Sequence, residues 1–351
     1  MSIPTLMSGV QLIGHGGPEM LEWRDDLPVP KPGPGDLLIK VAAAGVNNTD
    51  VNTRIGWYSK GENDSTDAGW TGSALTLPLI QGADVCGHVV AVGDGVPASR
   101  IGERVIIEPS LQEMNGTMLE SRMYFGSECN GGFAEYTKVA ARHAVGINCD
   151  LSDVELASFP CSYSTAENML SRAAVSQSDI VLITGASGGV GSAAVQLAKA
   201  RGAEVIAVTN PTKAATLLSL GATRTVSRDD DPVAALGRNS VDVVIDLVAG
   251  PTWPSLLEVM RPGGRYAVSG AIAGPLVTLD VRTLYLKDLS FFGCTILDPG
   301  VFESLVKRIE AAEVQPLVAE TYPLKDIGVA QEAFQRKSHV GKIVLIVASD
   351  T

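Results

Sequence analysis

A glycine-rich segment sets the strongest limit on the fold of this 351-residue chain. Residues 183–191 read ITGASGGVG, with the apolar run DIVL before them and the helix-forming pattern SAAVQLAKA after them. Such a segment is typical of the first strand-to-helix turn of a parallel sheet, where backbone amides and the helix dipole attract an anion. Because large side chains would keep a phosphate away, the segment predicts a phosphate-binding turn.

The segments around this turn alternate between strand and helix patterns. The strand patterns are DIVLITG, EVIAVTN, TRTVS, VDVVIDLV, GGRYAVSG and LSFFGCTI. Strands that are apolar on both faces and alternate with helices predict a doubly wound parallel sheet of the Rossmann type, so we expect an α/β fold. Two S-x-x-E capping boxes, Ser152 to Glu155 and Ser164 to Glu167, predict helix starts ahead of this sheet.

The first 148 residues have a different character. Short apolar runs broken by Gly and Pro predict an all-β, barrel-like domain there. Two stretches, residues 56–78 and 110–132, are predicted as long loops. Loops of such length are usually functional or mobile.

Charge and cysteine content exclude several classes of protein. The chain has 39 acidic and 27 basic residues, a formal net charge of −12, which disfavours general attraction to nucleic acid or to an anionic membrane. The five cysteines include no C-x-x-C pair, which favours a reducing compartment. Neither a signal-peptide pattern nor a run of 18 apolar residues is present, so we expect a cytoplasmic protein.

The glycine-rich turn fits the dinucleotide fingerprint G-x-G-x-x-G with alanine in the first place. The predicted cofactor-binding residues of this frame are Ala186, Ser187, Gly188, Gly189, Val190 and Gly191. The next strand ends at Thr209, where a carboxylate would bind the ribose of NAD and repel a 2′-phosphate. The sequence has Thr209, Asn210 and Lys213 there instead, with Arg228 at the end of the next strand pattern, so we expect NADPH. The alternative is that Lys213 and Arg228 are solvated surface charges.

A hydrolase remains an alternative for the same segment. Gly185-Ala186-Ser187-Gly188-Gly189 also fits the G-x-S-x-G nucleophile elbow, and Asp246 or Asp298 and then His339 follow in the required order. Two features disfavour this interpretation: several strand–helix units follow the turn, and Gly191 would have no role.

Several motifs in combination resemble the medium-chain dehydrogenases/reductases, in particular the zinc-free quinone oxidoreductases related to zeta-crystallin. These motifs are GDLLIKVAAAGVNNTD, IQGADVCGHVVAVG, GERV, GGFAEY, STAENML, TGASGGVGSAAVQLAKARGAEVIAVT, GGRYAVSG and HVGKIVLIV. The resemblance implies a GroES-like catalytic domain over residues 1–148, rejoined by 300–351, and a Rossmann domain over 149–299. It also implies a homodimer through an edge strand near 289–296. Further positions that it places near the cofactor are Thr165, Val248, Ser269, Gly270, Cys294 and Lys342.

Departures from the zinc-dependent relatives predict that no metal is bound. Catalytic zinc needs three protein ligands, but this chain has Asn47 at the first cysteine position and Gly82-Ala83-Asp84 in place of GHE. Only Cys161 remains. Cys86 and His88 are two residues apart in a strand pattern, so their side chains can face the same way. They are either a pair of metal ligands or ordinary core and surface residues, and the second alternative is favoured.

Without a metal, hydrogen-bond donors must meet the charge that develops on a reduced carbonyl oxygen. From the resemblance, the candidates are Asn47, Thr49 and Tyr58, with Asn52 where quinone reductases often carry a second tyrosine. Each also has a local structural alternative, such as capping or packing. Asp50 and Arg54 are expected to form an ion pair, and Trp57, Tyr58 and Trp70 to form either an aromatic lid or loop core.

The leading hypothesis is an NADPH-dependent reductase of quinones or α,β-unsaturated carbonyls, because conjugation delocalises the incoming electrons and lessens the need for a metal. The alternatives are a zinc-free alcohol dehydrogenase or carbonyl reductase and an NADPH-binding protein with little turnover. The predicted partners are a small carbonyl or quinone substrate and a second copy of the chain.

Overall fold

The computed structural model describes residues 3–60, 69–70, 72 and 74–347. Its strands are β1 (Leu6–Leu12), β2 (Leu21–Pro28), β3 (Asp36–Gly45), β4 (Asp84–Val92), β5 (Arg104–Ile107), β6 (Ser110–Met114), β7 (Thr117–Tyr124), β8 (Tyr136–Ala140), β9 (Ala144–Gly146), β10 (Ile180–Ile183), β11 (Glu204–Thr209), β12 (Arg224–Ser227), β13 (Val241–Asp246), β14 (Met260–Val268), β15 (Ser290–Gly293), β16 (Val318–Pro323) and β17 (Lys342–Ile346). Its α-helices are α1 (Asn48–Ile55), α2 (Asp153–Leu156), α3 (Pro160–Arg172), α4 (Gly189–Ala200), α5 (Ala214–Leu220), α6 (Pro232–Leu236), α7 (Trp253–Val259), α8 (Val281–Leu286), α9 (Val301–Glu310) and α10 (Ile327–Gln335).

The chain divides into two compact units. The first, called the catalytic unit below, comprises residues 1–161, 316–338 and 342–351, and the second, the nucleotide unit, comprises 162–315 and 339–341. The boundaries expected from the sequence fall after residues 148 and 299. Within the described ranges, every helix is too short or too polar to cross a bilayer.

The catalytic unit is built on a seven-stranded sheet whose centre is β3. Strands β16, β17, β3, β4, β5 and β9 follow one another across the sheet, and β8 pairs with the first half of β3. Leu37, Ile39 and Val41 of β3 pack into one core with Val85 and Val105. Because successive side chains of a strand point to opposite faces, these alternate residues of β3 share one face of the sheet. The predicted β-rich character of this region is confirmed.

The predicted loop 110–132 was wrong for residues 110–124, because β6 and β7 form an antiparallel hairpin there. Its turn is Asn115-Gly116, and both residues have positive φ, 49° and 73°. Asn-Gly between two strands is a strong hairpin signal because both residues tolerate this backbone conformation, so the turn was readable from the sequence. The other predicted loop, 56–78, lies partly outside the described residues.

The nucleotide unit is a six-stranded parallel sheet with strand order β12-β11-β10-β13-β14-β15. This is the doubly wound order, in which the chain reverses direction across the sheet between β10 and β13. Ligands of such sheets bind at the carboxyl ends of the strands beside this reversal. All six predicted strands are present, so the α/β prediction is confirmed.

Of the two predicted capping boxes, only the first is correct. Ser152 caps α2, and its hydroxyl oxygen accepts from the backbone N–H of Glu155. Ser164 and Glu167 instead lie inside α3. The Glu167 carboxylate is buried and accepts a hydrogen bond of 2.7 Å from Arg201, so tertiary pairing rather than capping explains this acidic residue.

Candidate functional site

The glycine-rich turn of the nucleotide unit connects β10 to α4. Helix α4 begins at Gly189, with Gly188 as its N-cap. A Cβ at Gly191 would lie 2.3 Å from the carbonyl oxygen of Gly185, whereas a Cβ at Gly188 would meet nothing closer than 3.5 Å. Gly191 therefore serves the close packing of the helix on the strand, and Gly188 leaves an open cradle at the amide end of the helix.

The side chains around this cradle differ in exposure. Ala186 is fully buried, and its backbone N–H donates to Val208 in β11. Ser187 and Val190 are half-buried, and Gly188 is exposed. The predicted phosphate-binding frame thus presents mainly backbone to its surroundings, which fits a diphosphate.

The residues predicted to recognise the 2′-phosphate converge beyond β11. The Lys213 ammonium donates to the carbonyl oxygen of His339 at 2.8 Å, and Arg228 donates its backbone N–H to Thr209 at 2.9 Å. Burial and the charge of Arg228 lower the pKa of Lys213, so the two cations lie within electrostatic range of each other. An anion between them would relieve this repulsion.

Thr209 and Asn210 complete this end of the site. The Thr209 hydroxyl is buried and makes no hydrogen bond within the part of the chain that the structure describes. Asn210 caps the following turn, because its side-chain oxygen accepts from the backbone N–H of Thr212 at 3.0 Å. An orphaned hydroxyl beside two cations, with no carboxylate at the end of β11, is a set of groups that suits an anion.

A buried carboxylate, Asp246, organises the loops after β10, β13 and β14, and it was not among the residues predicted for the cofactor site. Its oxygens accept from the Thr184 hydroxyl at 2.5 Å, from the Tyr266 hydroxyl at 2.6 Å and from the backbone N–H of Val248 at 2.9 Å. Ser269 donates its backbone N–H to the Asp246 carbonyl. The signal for this role was the position of Asp246 at the end of a central strand.

These contacts also disfavour the hydrolase alternative. A triad aspartate must orient a histidine, but Asp246 is engaged by Thr184 and Tyr266, and Asp298 is paired with Arg172 at 2.8 Å. The remaining predicted cofactor neighbours of this unit are half-buried Thr165 and Gly270 and buried Cys294. Burial raises the pKa of the Cys294 thiol to about 11.

In the catalytic unit, three of the four predicted catalytic side chains come together. The Tyr58 hydroxyl donates to the Thr49 hydroxyl at 3.3 Å, and Tyr58 also hydrogen-bonds to Asn52. Helix α1 explains this arrangement, because Thr49 and Asn52 are three residues apart on one face. Burial raises the pKa of Tyr58, so its phenol is protonated at neutral pH.

Asn47, the fourth predicted residue, lies in a buried network with Asp84 and Lys342. The Asn47 amide nitrogen donates to Asp84 at 2.8 Å, and its oxygen accepts from the Lys342 ammonium at 2.5 Å. The same ammonium lies 2.7 Å from Asp84 and donates to the carbonyl oxygen of Val46. Both ends of the Asn47 amide are therefore engaged within the unit, which favours a positioning role for Asn47 over direct contact with a substrate.

The same contacts bear on Lys342, which the resemblance placed near the cofactor. Its side chain is 2% exposed, and three acceptors surround its three N–H groups. A direct contact between Lys342 and a cofactor stays a prediction. The structure shows that its ammonium binds Asn47, Asp84 and Val46 within the catalytic unit.

The predicted ion pair between Asp50 and Arg54 was wrong. Asp50 accepts from the backbone N–H of Asn47 at 2.8 Å, whereas Arg54 donates to Gln331 at 2.8 Å and to the carbonyl oxygen of Gly16. Burial raises the pKa of Asp50 to about 7. The two residues share helix α1, but Asp50 caps the first turn of that helix, whereas Arg54 binds Gln331 and Gly16 from distant segments.

The possible metal ligands do not assemble. The Cys161 sulfur lies 2.9 Å from the Tyr124 hydroxyl. Cys86 and His88 do face the same way, because both approach Asp153, at 3.6 and 4.0 Å, but Arg104 also lies 3.8 Å from that carboxylate. Across the described ranges, no three side chains of His, Cys, Asp and Glu form a group that could hold a metal ion.

The aromatic residues 57, 58 and 70 do not form one cluster in the described contacts. Trp57 and Tyr58 are in edge contact, with ring centroids 5.4 Å apart. Trp70 instead lies against Tyr124, with centroids 4.7 Å apart. Tyr124 was not singled out from the sequence, and its position at the end of an unpredicted hairpin explains why.

Comparisons with known proteins agree with this architecture. Residues 33–148 match the model of the alcohol dehydrogenase GroES-like domain, and residues 189–311 match that of the zinc-binding dehydrogenase. An acryloyl-coenzyme A reductase of Metallosphaera sedula is 30% identical over 97% of this chain and 99% of its own length. Human quinone oxidoreductase is 29% identical over 97% of this chain and 98% of its own length.

Two solved structures extend the comparison. A protein of Sinorhizobium meliloti, provisionally assigned as an alcohol dehydrogenase, is 46% identical with a TM-score of 0.90, over 99% of this chain and 98% of its own. A cobalt- and zinc-bound alcohol dehydrogenase of Pyrobaculum aerophilum is 31% identical with a TM-score of 0.83, over 97% and 99%. The fold is that of a nicotinamide-dependent oxidoreductase. The chain belongs to the medium-chain dehydrogenase/reductase superfamily.

Proposed function

We propose that this oxidoreductase reduces quinones or α,β-unsaturated carbonyl compounds with NADPH and without a metal ion. The observation that carries the proposal is the buried network of Asn47, Asp84 and Lys342. Asn47 occupies a position where zinc-dependent relatives supply a ligand, and here its oxygen binds an ammonium. The ammonium occupies the Asn47 and Asp84 oxygens that a metal ion would otherwise bind.

The binding of the cofactor would rest mainly on the nucleotide unit. The amides at the start of α4 would hold the diphosphate, and Thr209, Lys213 and Arg228 would hold the 2′-phosphate. When bound, the cofactor supplies a hydride to the substrate. Asp246 would hold the loop that contains Val248 in the geometry that binding needs.

Tyr58, Thr49 and Asn52 would orient the substrate oxygen and meet its developing charge. These groups are hydrogen-bond donors and are weaker electrophiles than a metal ion. An isolated ketone places its charge on one oxygen, whereas a quinone or an enone delocalises it over a conjugated system. Conjugated acceptors are therefore the substrates that this donor set can best reduce.

The test is the oxidation of NADPH by the purified protein across a panel of acceptors. The panel contains 9,10-phenanthrenequinone, a 2-alkenal, acryloyl-coenzyme A and a simple ketone, and metal content is measured on the same sample. Turnover of the conjugated acceptors that survives chelation is the expected result. A stoichiometric zinc ion that activity requires would overturn the metal-free mechanism and would align this chain with its zinc-bound relative.

Two outcomes would favour other functions. Preference for the simple ketone would indicate a carbonyl reductase or alcohol dehydrogenase, in line with the alcohol dehydrogenase relatives. Binding of NADPH without turnover of any acceptor would indicate a binding protein rather than an enzyme.

The assembly and the compartment are also proposals. Strand β15 is the edge of its sheet, and exposed apolar side chains lie on it or just before it, including Tyr285, Leu286 and Phe291. Edge strands with apolar surroundings favour pairing with another copy, which supports a homodimer. All five cysteines are free thiols, which supports a reducing compartment such as the cytoplasm.

A further inference from the structure

A buried phenol and a buried thiol meet in the catalytic unit. Tyr124, the last residue of β7, places its hydroxyl 2.9 Å from the sulfur of Cys161, and either atom can be the donor. The two side chains are 7% and 8% exposed, and both pack against Ala83. Ala83 and Cys161 are two of the positions at which zinc-dependent relatives carry metal ligands. The Tyr124 phenol therefore lies where those relatives hold their zinc ligands.

This pair adjoins the residues predicted to contact the substrate. Tyr58 and Cys161 influence each other electrostatically, and so do Tyr58 and Tyr124. The backbone N–H of Cys161 donates to Asp84 at 2.5 Å, which joins the pair to the network that contains Asn47. Tyr124 therefore lies among the predicted catalytic residues, although it is distant from them in sequence.

Both groups hold their protons at neutral pH. Burial raises the pKa of Cys161 to about 12 and that of Tyr124 well above its ordinary value. A protonated thiol is a poor nucleophile and a poor metal ligand, so an electrophilic enone would not alkylate it readily. A protonated phenol shielded from water is a strong donor to an oxygen whose negative charge is rising.

We propose that Tyr124 is a catalytic hydrogen-bond donor to the substrate oxygen, and that Cys161 positions it by donating its S–H to the phenol oxygen. The inference rests on the proposed reduction of conjugated carbonyls. In that reaction a C–H bond of the reduced cofactor would break as its hydride forms a C–H bond at the β-carbon of the substrate. The C=C electrons move toward the carbonyl oxygen to give an enolate, and water then protonates the α-carbon and becomes hydroxide. Tyr124 stabilises the enolate oxygen and keeps its own proton.

Trp70 supports this geometry. Its ring lies 4.7 Å from the Tyr124 ring at an interplanar angle of 31°, and its backbone N–H approaches the Ser127 hydroxyl at 3.4 Å. The contact between the two tilted rings limits the orientations of the phenol. A fixed donor needs little reorganisation when charge develops, which is the basis of this kind of catalysis.

The test compares Tyr124→Phe with Tyr136→Phe, a half-buried tyrosine of the same unit outside the site. With the best conjugated acceptor of the panel, we expect Tyr124→Phe to lower kcat on the order of 100-fold while leaving the Kd for NADPH within about twofold. The primary isotope effect with deuterated NADPH should rise, because hydride transfer becomes more rate-limiting. Tyr136→Phe should match the wild type in all three measurements.

Cys161 variants test the positioning role separately. Cys161→Ser keeps a hydrogen-bond donor and should retain most of kcat. Cys161→Ala removes the donor and should lower kcat by about tenfold. Thermal melts of both variants check that they are folded. Unchanged kcat and isotope effect in folded Tyr124→Phe would overturn the inference while leaving the proposed function intact. Absence of turnover in the wild type would instead overturn the proposed function, and with it this inference.

Discussion

At the scale of single residues, partner choice decides what the charged side chains do. Lys342 and Asp84 are far apart in the sequence, yet their charged atoms lie 2.7 Å apart in the interior of the catalytic unit. Asp50 and Arg54 are close in sequence and bind different partners. Lys213 and Arg228 are like charges within electrostatic range of each other, and Arg228 also lies 3.8 Å from the carboxylate of Asp229.

The first prediction concerns Lys213 and the choice of cofactor. Lys213→Glu should weaken NADPH binding by at least about tenfold and leave NADH binding within about twofold, because the carboxylate would repel the 2′-phosphate. Lys307→Glu, on the exposed face of α9, is the control and should change neither affinity. Isothermal titration of both cofactors provides the measurement, and equal losses for NADPH and NADH would contradict the assignment.

The second prediction concerns Asp50 and pH. Burial raises the pKa of this carboxyl from 3.8 to about 7, so the folded state binds the proton more tightly than the unfolded state. The stability that results is fully present below the unfolded pKa and is lost as pH rises through the folded pKa. As the pH rises from about 4 to about 7, deprotonation of Asp50 should lower the free energy of unfolding of the wild type by up to about 4 kcal/mol.

Asp50→Asn should remove most of this pH dependence, because an amide keeps an acceptor for the Asn47 N–H and carries no charge. Urea unfolding below about pH 4 and above about pH 7 measures the pH dependence of the free energy of unfolding. Above about pH 7, Asp50→Asn should be more stable than the wild type. Asp94→Asn, at an exposed position, should follow the wild type. If the free energy of unfolding changes with pH equally in Asp50→Asn and the wild type, Asp50 is not the source of the pH dependence.

At the scale of elements, the junction of β10 and α4 is the proposed site for the cofactor diphosphate. Two of its glycines have separate roles, since a Cβ at Gly191 would clash with backbone whereas one at Gly188 would project into open space. In the catalytic unit, the hairpin of β6 and β7 ends at Tyr124, the proposed hydrogen-bond donor.

The third prediction separates these two glycines. Gly191→Ala should destabilise the fold by about 1–3 kcal/mol, because the new methyl group overlaps the carbonyl of Gly185. Gly188→Ala should leave the melting temperature nearly unchanged and weaken NADPH binding by about tenfold or more, because the methyl group enters the diphosphate cradle. Thermal melts and cofactor titrations distinguish the two, and normal NADPH affinity in Gly188→Ala would place the diphosphate elsewhere.

At the scale of the whole molecule, the predicted functional residues divide between the two units. The predicted catalytic residues all lie in the catalytic unit, and the predicted cofactor residues lie in the nucleotide unit except for Lys342. The edge strand β15 and the exposed apolar residues before it belong to the nucleotide unit. A pairing of two copies through this edge would therefore join their nucleotide units.

The fourth prediction concerns that pairing. The wild type should be a dimer by light scattering, and Leu286→Glu should shift it toward monomer, because the side chain is 70% exposed just before β15 and would carry charge into the interface. Leu218→Glu, at an exposed position on α5, is the control and should remain dimeric. A monomeric wild type would refute the dimer, and a dimeric Leu286→Glu would place the interface on another surface.

The sequence by itself determined the doubly wound sheet, its glycine-rich turn and the superfamily, because these depend on local periodicity and on residues adjacent in the chain. It also indicated Thr49, Asn52 and Tyr58, whose contacts follow from one helix and the turn after it. Only the tertiary structure decided that Asn47 binds Lys342, that Asp246 joins three loops and that Tyr124 meets Cys161. Such contacts depend on how distant segments pack, and hydrogen-bonding side chains accept many partners, so no local pattern could select among them.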